Sequence, residues 1–527
     1  MSFSRQSATH RATRASSRPR LSQLTAGAAV LALAAAGVAT AADSADPSAA
    51  SPTSAAASTP ASASQSSHGA ADPSDLATLR QELERQQQQL RELEKRIAAD
   101  EAAKSSATGN SPANPNALSG SFGPDGFVLA SADGLNVLRL EGNLSLDYRN
   151  FLDSDNATDD TWLVRKARPI LEGTLDGMFD FRLMPDFGQG KALLQDAWAD
   201  ARVEPWLVFE VGKFKAPVGL ERLQLEQFGR FIEASLTADL LPYRDLGFMA
   251  LGDLGHGVLD YQLAMLDGAP DGGSTDANST PDADSTGKFT YDARAFLHPF
   301  AHAGWSGLEK LGLGVAGTYV SYVGTATTSA TTSLLTTYKS TGQQSFFSFR
   351  SDSATGFNNA TIADGIERRI VPQFNYYYRM FGLLGEYVKA DQQVVRDITT
   401  TTLRSGTLDN RAWEVQGYVF LTGENEAYAD ATPLRPVGQG GIGAVELVAR
   451  VHALRFGNEA FADGGSSFAN PASAVEAAHA AGVGINWYLT DNFKVQLDYE
   501  VSHFEGGSSL GNRPEEKVLT SQFALIF

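Results

Sequence analysis

Residues Leu138–Arg149, LRLEGNLSLDYR, alternate between two kinds of side chain with a period of two. The even positions are leucine, glycine or tyrosine, whereas the odd positions carry ionic or hydrogen-bonding groups. Successive side chains of a β-strand point to opposite faces, so this stretch predicts a strand with one apolar and one ionic face. Such a strand is typical of a wall between lipid and water and is unusual in a soluble sandwich core.

The same alternation recurs along most of the remaining chain. Phe179–Leu183, Trp413–Leu421 and Phe493–Val501 repeat it, and the connections between such stretches are either short turns or long Gly/Asp/Ser/Thr-rich segments. A β-sandwich or a propeller is the soluble alternative, but no internal repeat of propeller length is visible. We therefore predict an all-β fold, a transmembrane antiparallel β-barrel of about 16 strands over residues 123–527.

The chain ends in an aromatic residue on a rough two-residue period. Phe523, Leu525 and Phe527 share one parity, and Thr520, Gln522, Ala524 and Ile526 share the other. A closed barrel needs a final strand that pairs with the first, since an open edge in lipid leaves backbone groups without hydrogen bonds. We therefore expect Phe527 to be an assembly signal.

The N-terminus predicts export. Residues 1–41 contain five arginines and no acid, and an apolar run from Leu24 to Val38 is followed by Ala39-Thr40-Ala41. This is the pattern of a secretory signal peptide with a small-residue cleavage site. An uncut signal anchor is the alternative, although the run is short and rich in alanine for a stable membrane span.

A short helical segment is predicted between two linkers. Residues 42–74 are almost wholly Ala, Ser, Pro and Thr, and residues 101–122 are again polar, so neither is expected to fold alone. Residues 75–100 read as an α-helical coiled coil. Its heptad seam consists of Leu76, Leu79, Leu83, Leu90, Leu93 and Ile97. A lone amphipathic helix is the alternative, but about three heptads are marginal for an isolated helix.

Composition excludes several functions. The formal net charge of −19 argues against nucleic acid as a partner. The absence of cysteine excludes thiol chemistry and thiolate metal sites. Gly438, Gly440 and Gly443 match GxGxxG, and residues 507–511 match GxSxG, but neither match has the strand–turn–helix context that its chemistry needs. We expect no enzyme, no cofactor and no metal site.

Basic residues cluster in the first third of the predicted barrel. A basic set facing one lumen biases a pore toward anions, because rings of charge set the sign of the permeant ion. The candidate pore-lining and anion-binding residues are Arg165, Lys166, Arg168, Lys213, Lys215, Arg222, Arg230 and Arg244. The alternative is that these bases pair with neighbouring acids across the barrel wall, with candidates at Asp186, Asp200, Glu210 and Glu221.

Five blocks, in order, resemble the porin O/P family, the phosphate-selective porins of Gram-negative outer membranes. They are Leu163–Arg168 (LVRKAR), Val211–Glu221 (VGKFKAPVGLE), Gly417–Glu424 (GYVFLTGE), Gly443–Arg450 (GAVELVAR) and Gly484–Tyr488 (GINWY). The resemblance covers roughly residues 123–527 and implies a 16-stranded barrel that forms a homotrimer, with an inward-folded loop narrowing the pore. It also implies outer-membrane lipid, the barrel-assembly machinery and small anionic or hydrophilic solutes as partners.

The resemblance weakens where phosphate selectivity would be decided. Phosphate-selective members carry a lysine and an arginine beyond the GLE segment and an arginine-rich constriction loop. Here the stretch Gly219–Thr237 keeps Arg222 but has Gln227 and Ala234 at the later basic positions, and Lys339 is the only base of the Thr/Ser-rich loop 324–345. The fold carries over, and strict phosphate specificity does not.

We therefore expect an outer-membrane porin through which small hydrophilic solutes diffuse, with anions such as phosphate or polyphosphate as candidates. We expect a modest anion preference set near Lys213, Lys215 and Arg222, which acidic residues elsewhere in the lumen would oppose. The alternative is a non-conducting structural barrel, tethered toward the cell wall by its N-terminal coiled coil.

Overall fold

The computed structural model describes residues 118–527 except 124–125, 153–159, 225–227, 270–287, 327–330, 352, 355–356 and 429–430. The predicted signal peptide, the coiled coil with its seam, and nearly all of the two linkers lie outside these residues. No helix of the described ranges is both long and apolar enough to cross a membrane.

The described chain is built mainly from β-strands. In chain order they are β1 (Leu118–Gly123), β2 (Gly126–Ser131), β3 (Val137–Phe151), β4 (Thr161–Leu175), β5 (Phe179–Asp186), β6 (Leu193–Glu204), β7 (Leu207–Lys215), β8 (Arg244–Leu254), β9 (Leu259–Leu266), β10 (Thr290–Leu297), β11 (Leu311–Val323), β12 (Thr325–Ala326), β13 (Thr331–Thr332), β14 (Tyr338–Lys339), β15 (Ser345–Phe347), β16 (Ser353–Ala354), β17 (Phe357–Asn358), β18 (Thr361–Tyr378), β19 (Phe381–Thr399), β20 (Thr402–Phe420), β21 (Ala444–Arg455), β22 (Val475–Tyr488), β23 (Phe493–Ser508), β24 (Gly511–Asn512) and β25 (Glu516–Ile526). One short helix, α1 (Leu220–Leu223), and four 3₁₀ turns (Gly188–Gly190, Leu236–Leu240, Asn458–Ala460 and Gly464–Ser466) lie in the connections.

Sixteen of these strands close into an antiparallel barrel, as the alternation predicts. They are β3–β11, β18–β23 and β25, each paired with its neighbour in the chain order of the barrel. The ring closes where β25 pairs with β3, from Val518 opposite Phe151 to Ile526 opposite Asn143. The fold class and the strand count inferred from the sequence are confirmed for the barrel.

The apolar side chains of the barrel face outward and the polar ones face inward. On β3, Leu144 is 50% exposed, whereas Asp147 between its outward neighbours is fully buried. On β18, Ile370 is 53% exposed and the adjacent Arg369 is 5% exposed. This arrangement is the reverse of a soluble core, and it is what a wall between lipid and an aqueous lumen requires.

The hairpin β1–β2 precedes the barrel and continues its wall. β1 begins at Leu118, before residue 123 where the sequence places the start of the barrel domain. β2 pairs with residues 137–140 of β3, along the part of β3 that lies beyond the end of β25. The backbone groups of β3 are thereby paired past the point at which the chain terminus stops.

The two formal motif matches are turns. Gly438, Gly440 and Gly443 have φ values of +84°, +81° and +80°, in the connection that leads into β21. Residues 507–511 form the hairpin between β23 and β24. Neither stretch is followed by a helix, so neither has the context of a phosphate-binding loop or a nucleophile elbow.

Phe527 lies at the seam between the last strand and the first. Its backbone oxygen accepts a hydrogen bond from the Gly142 N–H at 2.7 Å, and its N–H donates to the Gly142 oxygen at 3.1 Å. A Cβ atom at Gly142 would lie 2.6 Å from the Phe527 ring. The ring therefore packs directly on the glycine, and a larger residue there would collide with it.

We predict that deleting Phe527, or replacing it with serine, lowers the yield of folded barrel. Deletion removes two backbone hydrogen bonds at the seam, and each unsatisfied group in lipid costs several kcal/mol. The measurement is the fraction of heat-modifiable protein in extracted outer membranes, with Leu510→Ser in an exposed turn as the control. Normal yield of the Phe527→Ser protein would contradict an assembly role for the ring.

Candidate functional site

One long connection folds into the barrel and crosses its lumen. This inward loop, residues 216–243, leaves the wall after β7 and returns to it at β8. Its Leu236 N–H donates to His452 Nδ1 on β21 at 3.0 Å, and Asn486 Nδ2 on β22 donates to the Arg230 oxygen at 3.0 Å. Since β21 and β22 lie opposite β7 and β8 in the ring, the loop spans the whole interior.

Side chains of the wall hold the backbone of the inward loop. Glu386 on β19 accepts hydrogen bonds from the N–H groups of Leu220 and Glu221, the first turn of α1, at 2.7 and 3.4 Å. Asp498 on β23 accepts from the Ile232 N–H at 2.7 Å. Backbone N–H groups at a helix start have no intrahelical partner, so a buried carboxylate is a fitting acceptor.

The two ends of the inward loop approach each other closely at Gly219. A Cβ atom there would lie 2.6 Å from Leu241 Cδ1 and 3.2 Å from the Arg222 side chain. The glycine therefore lets the start of the loop pass beside its end. Apolar residues of the loop, including Val218, Leu236 and Leu240, pack with inward-facing Val371 and Val388 of the wall.

Three of the predicted cations surround one aromatic ring at the root of the inward loop. The distances to the Tyr243 ring centroid are 5.6 Å from Lys215 Nζ, 4.6 Å from Arg222 Cζ and 4.3 Å from Arg244 Cζ. We call this group the Tyr243 cluster. Arg244 also pairs with Asp196 on β6 at 2.6 Å, and Arg222 donates to the Ala238 oxygen at 2.9 Å.

A second group of cations meets a single acid of the inward loop. Glu233 pairs with Arg165 Nη2 at 2.7 Å and also accepts from Arg149. Gln343, from the connection between β11 and β18, donates to Glu233 at 3.2 Å. The tip of the inward loop is therefore held by ionic contacts to β3 and β4.

Arg230 forms a third group deep in the interior. Its side chain is 1% exposed and pairs with Glu446 on β21 at 2.7 Å and with Glu426 at 3.0 Å. Burial by itself lowers the pKa of Arg230, but Glu446, Tyr488 and Glu426 outweigh it and raise that pKa above its usual value. Burial also raises the pKa of Glu426 to about 8, although Arg230 opposes the shift. Glu446 is the nearer of the two acids to the Arg230 guanidinium.

The family of the chain follows from a comparison of sequences. A model of the family described as phosphate-selective porin O and P matches residues 138–518, most of the barrel. The chain belongs to this family. It is therefore an outer-membrane porin, and the family inferred from the five sequence blocks is confirmed. No curated protein matches the chain.

The chain is also similar to several solved structures, all at low sequence identity. The outer membrane channel DcaP of Acinetobacter baumannii has a TM-score of 0.46 at 10% identity, covering 76% of this chain and 99% of its own. An anion-selective porin from Comamonas acidovorans gives 0.44 at 12% identity, with 74% and 100% covered. OmpT of Vibrio cholerae in its trimer form gives 0.43 at 9% identity, with 74% and 99% covered.

The remaining predicted bases of the porin lie in or beside the wall. Arg168 pairs with Asp186 at 2.6 Å, which is one of the acid partners that the sequence suggests. Lys166 lines a small cavity together with Lys494. Lys213 is 1% exposed, near the end of β7 between Ala197 of β6 and Leu246 of β8. The eight candidates are thus spread over several groups, and their role in binding anions stays a prediction.

Two interior residues with several ionic contacts, Glu233 and Arg450, are not among the site residues predicted from the sequence. Glu233 joins Arg149 and Arg165, and Arg450 on β21 pairs with Glu500 at 2.7 Å with its guanidinium 4.1 Å from the Phe231 ring. The alternation of GAVELVAR places Arg450 on the inner face with Glu446, so its position is readable from the sequence. Its partners are not, because they come from distant parts of the chain.

One group of acidic residues in the described ranges has the ligand type and the spacing that a metal ion needs. The carboxylates of Glu221, Glu386 and Glu414 form it, with one oxygen of each lying within 4.8 Å of the others. All three belong to the contact between the inward loop and the wall at β19 and β20. The sequence spacing of these acids does not reveal the group, since more than 160 residues separate Glu221 from Glu386.

We predict that Arg230→Gln destabilises the folded porin far more than Arg411→Gln. Removing one partner of a buried ion pair costs about 3–5 kcal/mol, because the remaining carboxylates stay buried without their cation. Arg411 is 54% exposed and pairs with Asp409 at 2.7 Å, so water screens the pair and its loss should change stability little. The measurement is the temperature at which the heat-modifiable form is lost. Equal temperatures for the two variants would show that Arg230 does not fix the inward loop.

Proposed function

We propose that this porin is a water-filled channel for small hydrophilic solutes with a modest preference for anions. The observation that carries the proposal is the Tyr243 cluster, where Lys215, Arg222 and Arg244 converge at the root of the inward loop. Charged side chains at the narrowest part of a pore set the sign of the ions that pass. Arg222 lies on the inward loop, and Lys215 and Arg244 are the strand residues that flank it, so the charge is concentrated where the loop leaves and rejoins the wall.

The preference is expected to be modest because acids share the lumen. Asp196 pairs with Arg244 and lies 3.4 Å from Arg182, so part of the positive charge at the cluster is neutralised locally. Glu221 on the same loop pairs at 3.7 Å with Arg450. A close ion pair acts on a passing ion as a dipole, whose field falls off faster than that of a single charge.

We propose that phosphate passes without strong selection. A dehydrated multivalent anion needs several converging donors to replace its water. Ala234 is an exposed residue of the inward loop with no donor in its side chain, and Gln227 lies outside the described residues. Lys339, the base of the Thr/Ser-rich loop, is exposed rather than buried in the lumen. The donors of the Tyr243 cluster are partly occupied by Gln224, Ala238 and Asp196.

The proposal also covers the N-terminal region, residues 1–122. We propose that residues 1–41 are a cleaved signal peptide and that residues 42–74 and 101–122 are linkers around a coiled coil at 75–100. A homotrimer fits both the heptad seam from Leu76 to Ile97 and the family resemblance. The barrel domain, residues 123–527, would then sit as three pores in outer-membrane lipid, inserted by the barrel-assembly machinery.

One observation favours the second candidate, a non-conducting structural barrel. The inward loop is hydrogen-bonded to the opposite wall along its length, and a cavity beside it, lined by Glu233, Thr341 and Arg450, holds about 10 Å³. That volume has room for one water molecule. A conducting path therefore has to run beside the loop and its partners rather than through this cavity.

We predict that the extracted porin conducts in planar bilayers and keeps its unit conductance when residues 42–117, which precede β1, are deleted. Conduction is a property of the barrel, whereas a wall tether resides in the N-terminal region. The matched measurement is retention of the barrel with isolated cell wall before and after the deletion. If the protein is folded and heat-modifiable but does not conduct, and if it loses its wall attachment when residues 42–117 are deleted, the structural barrel is the correct reading and the pore is refuted.

We predict that Lys215→Gln and Arg222→Gln each lower the chloride-to-potassium permeability ratio by about twofold. A unit charge about 10 Å from an ion in water contributes about 0.4 kcal/mol, favourable for chloride and unfavourable for potassium. Salt at about 0.1 M has a Debye length of about 10 Å and reduces the combined effect on the ratio from about fourfold to about twofold. The ratio comes from reversal potentials across a KCl gradient, with Arg411→Gln on the outer face of the wall as the control. Strong cation selectivity of the unaltered porin would refute the anion preference, and tight phosphate block of the chloride current would refute weak phosphate selection.

A further inference from the structure

Three carboxylates meet where the inward loop touches the wall. Glu221 lies on α1 of the inward loop, and Glu386 and Glu414 are directly opposite each other on the paired strands β19 and β20. One oxygen of each lies within 4.8 Å of the others. Glu386 and Glu414 are buried, with 4% and 1% of their surface exposed, and Glu221 is half-buried.

Hydrogen bonds from the described neighbouring residues reach only some of the oxygens of these three carboxylates. Glu386 accepts the two N–H groups of α1, and Glu221 Oε2 accepts the N–H and hydroxyl of Ser235 at 3.0 and 2.8 Å. Gln416 Nε2 donates to Glu221 Oε1 at 2.8 Å and to Glu414 Oε2 at 2.5 Å. The other oxygen of Glu414, Oε1, is buried and receives no N–H or hydroxyl donor among the described residues, and the carboxyl group of Glu414 approaches that of Glu386 within hydrogen-bonding range.

The positive charge near the group falls short of three carboxylates. Arg450 Nη1 lies 3.7 Å from Glu221 Oε1, and the same guanidinium pairs more closely, at 2.7 Å, with Glu500. Arg294 interacts with Glu386 through the electrostatic field, but its hydrogen bonds go to Gln373 and Gln262. Burying an ionised carboxylate without a compensating charge is strongly unfavourable. A buried carboxylate oxygen without a donor therefore indicates a positively charged ligand, or a proton shared between the acids.

We infer that Glu221, Glu386 and Glu414 bind a hard divalent cation, with Ca²⁺ as the best fit. Carboxylate oxygens are the ligands that such cations prefer. Ca²⁺ accepts oxygen ligands at about 2.3–2.6 Å in flexible geometries, so three carboxylate oxygens within 4.8 Å of one another suit it, whereas Mg²⁺ demands near-ideal octahedral geometry at about 2.0–2.1 Å. The cation ties the inward loop to β19 and β20, and the inference does not depend on whether the barrel conducts.

The test is equilibrium dialysis of the full-length, detergent-extracted porin against radioactive Ca²⁺ after chelation. Wild-type protein is expected to bind one Ca²⁺ per chain more than Glu414→Gln, whose neutral amide keeps the shape of the side chain. Glu505→Gln is the control, since Glu505 is about half-exposed and pairs with Arg455 at 2.6 Å away from this group. It should bind as much Ca²⁺ as wild type.

A second readout separates the cation from a merely structural role of Glu414. Ca²⁺ should raise the temperature at which wild type and Glu505→Gln lose the heat-modifiable form, and should leave that of Glu414→Gln unchanged. If Glu414→Gln does not fold, Glu221→Gln is measured in the same way. Equal Ca²⁺ binding by wild type and the folded variant overturns the inference. Absent binding by wild type overturns it too, and a shared proton then explains the group.

Discussion

The barrel depends on the requirement that every backbone group in lipid has a hydrogen-bond partner within the protein. Sixteen antiparallel strands meet it only because β25 pairs with β3 and leaves no open edge. Phe527 bonds to Gly142, and β2 then takes over the pairing with β3. Closure is therefore achieved by two separate segments rather than by one continuous strand.

Closure of the barrel also determines how the inward-facing side chains are arranged. Because the outer face must be apolar, the alternate positions carry the polar residues, and these need partners across the lumen. The inward loop supplies many of them through its backbone, as Leu220 does for Glu386, Ile232 for Asp498 and Leu236 for His452. Where inner positions are apolar, as at Val371 and Val388, loop residues cover them. The path of the loop thus follows from the side chains that the wall turns inward.

The sequence predicts the barrel well and the site only in outline. Alternation is a local property, so the residues of β3 or β23 are assigned to their faces without any knowledge of neighbours. Ion pairs are not local. Arg230 and Glu426 are 196 positions apart, and Arg149 and Glu233 are 84 apart, so their contacts depend on how far the inward loop reaches. The clustering of Lys215, Arg222 and Arg244 follows from the return of the chain at β8, which spacing alone does not give.

Because ion pairs form between distant parts of the chain, the net charge of the sequence does not indicate the electrostatic potential of the lumen. The chain carries a formal charge of −19, yet many acids of the interior sit within 3 Å of a cation, such as Asp186 beside Arg168 and Glu500 beside Arg450. Such pairs contribute little field at the distance of a passing ion. The groups that remain influential are those in which one sign outnumbers the other locally. At the Tyr243 cluster cations exceed acids, whereas at Glu221, Glu386 and Glu414 acids exceed cations. Both imbalances lie where the inward loop meets the wall, with Arg222 and Glu221 supplied by the loop and the other members by β7, β8, β19 and β20. The position of this one segment therefore decides which wall charges are brought together.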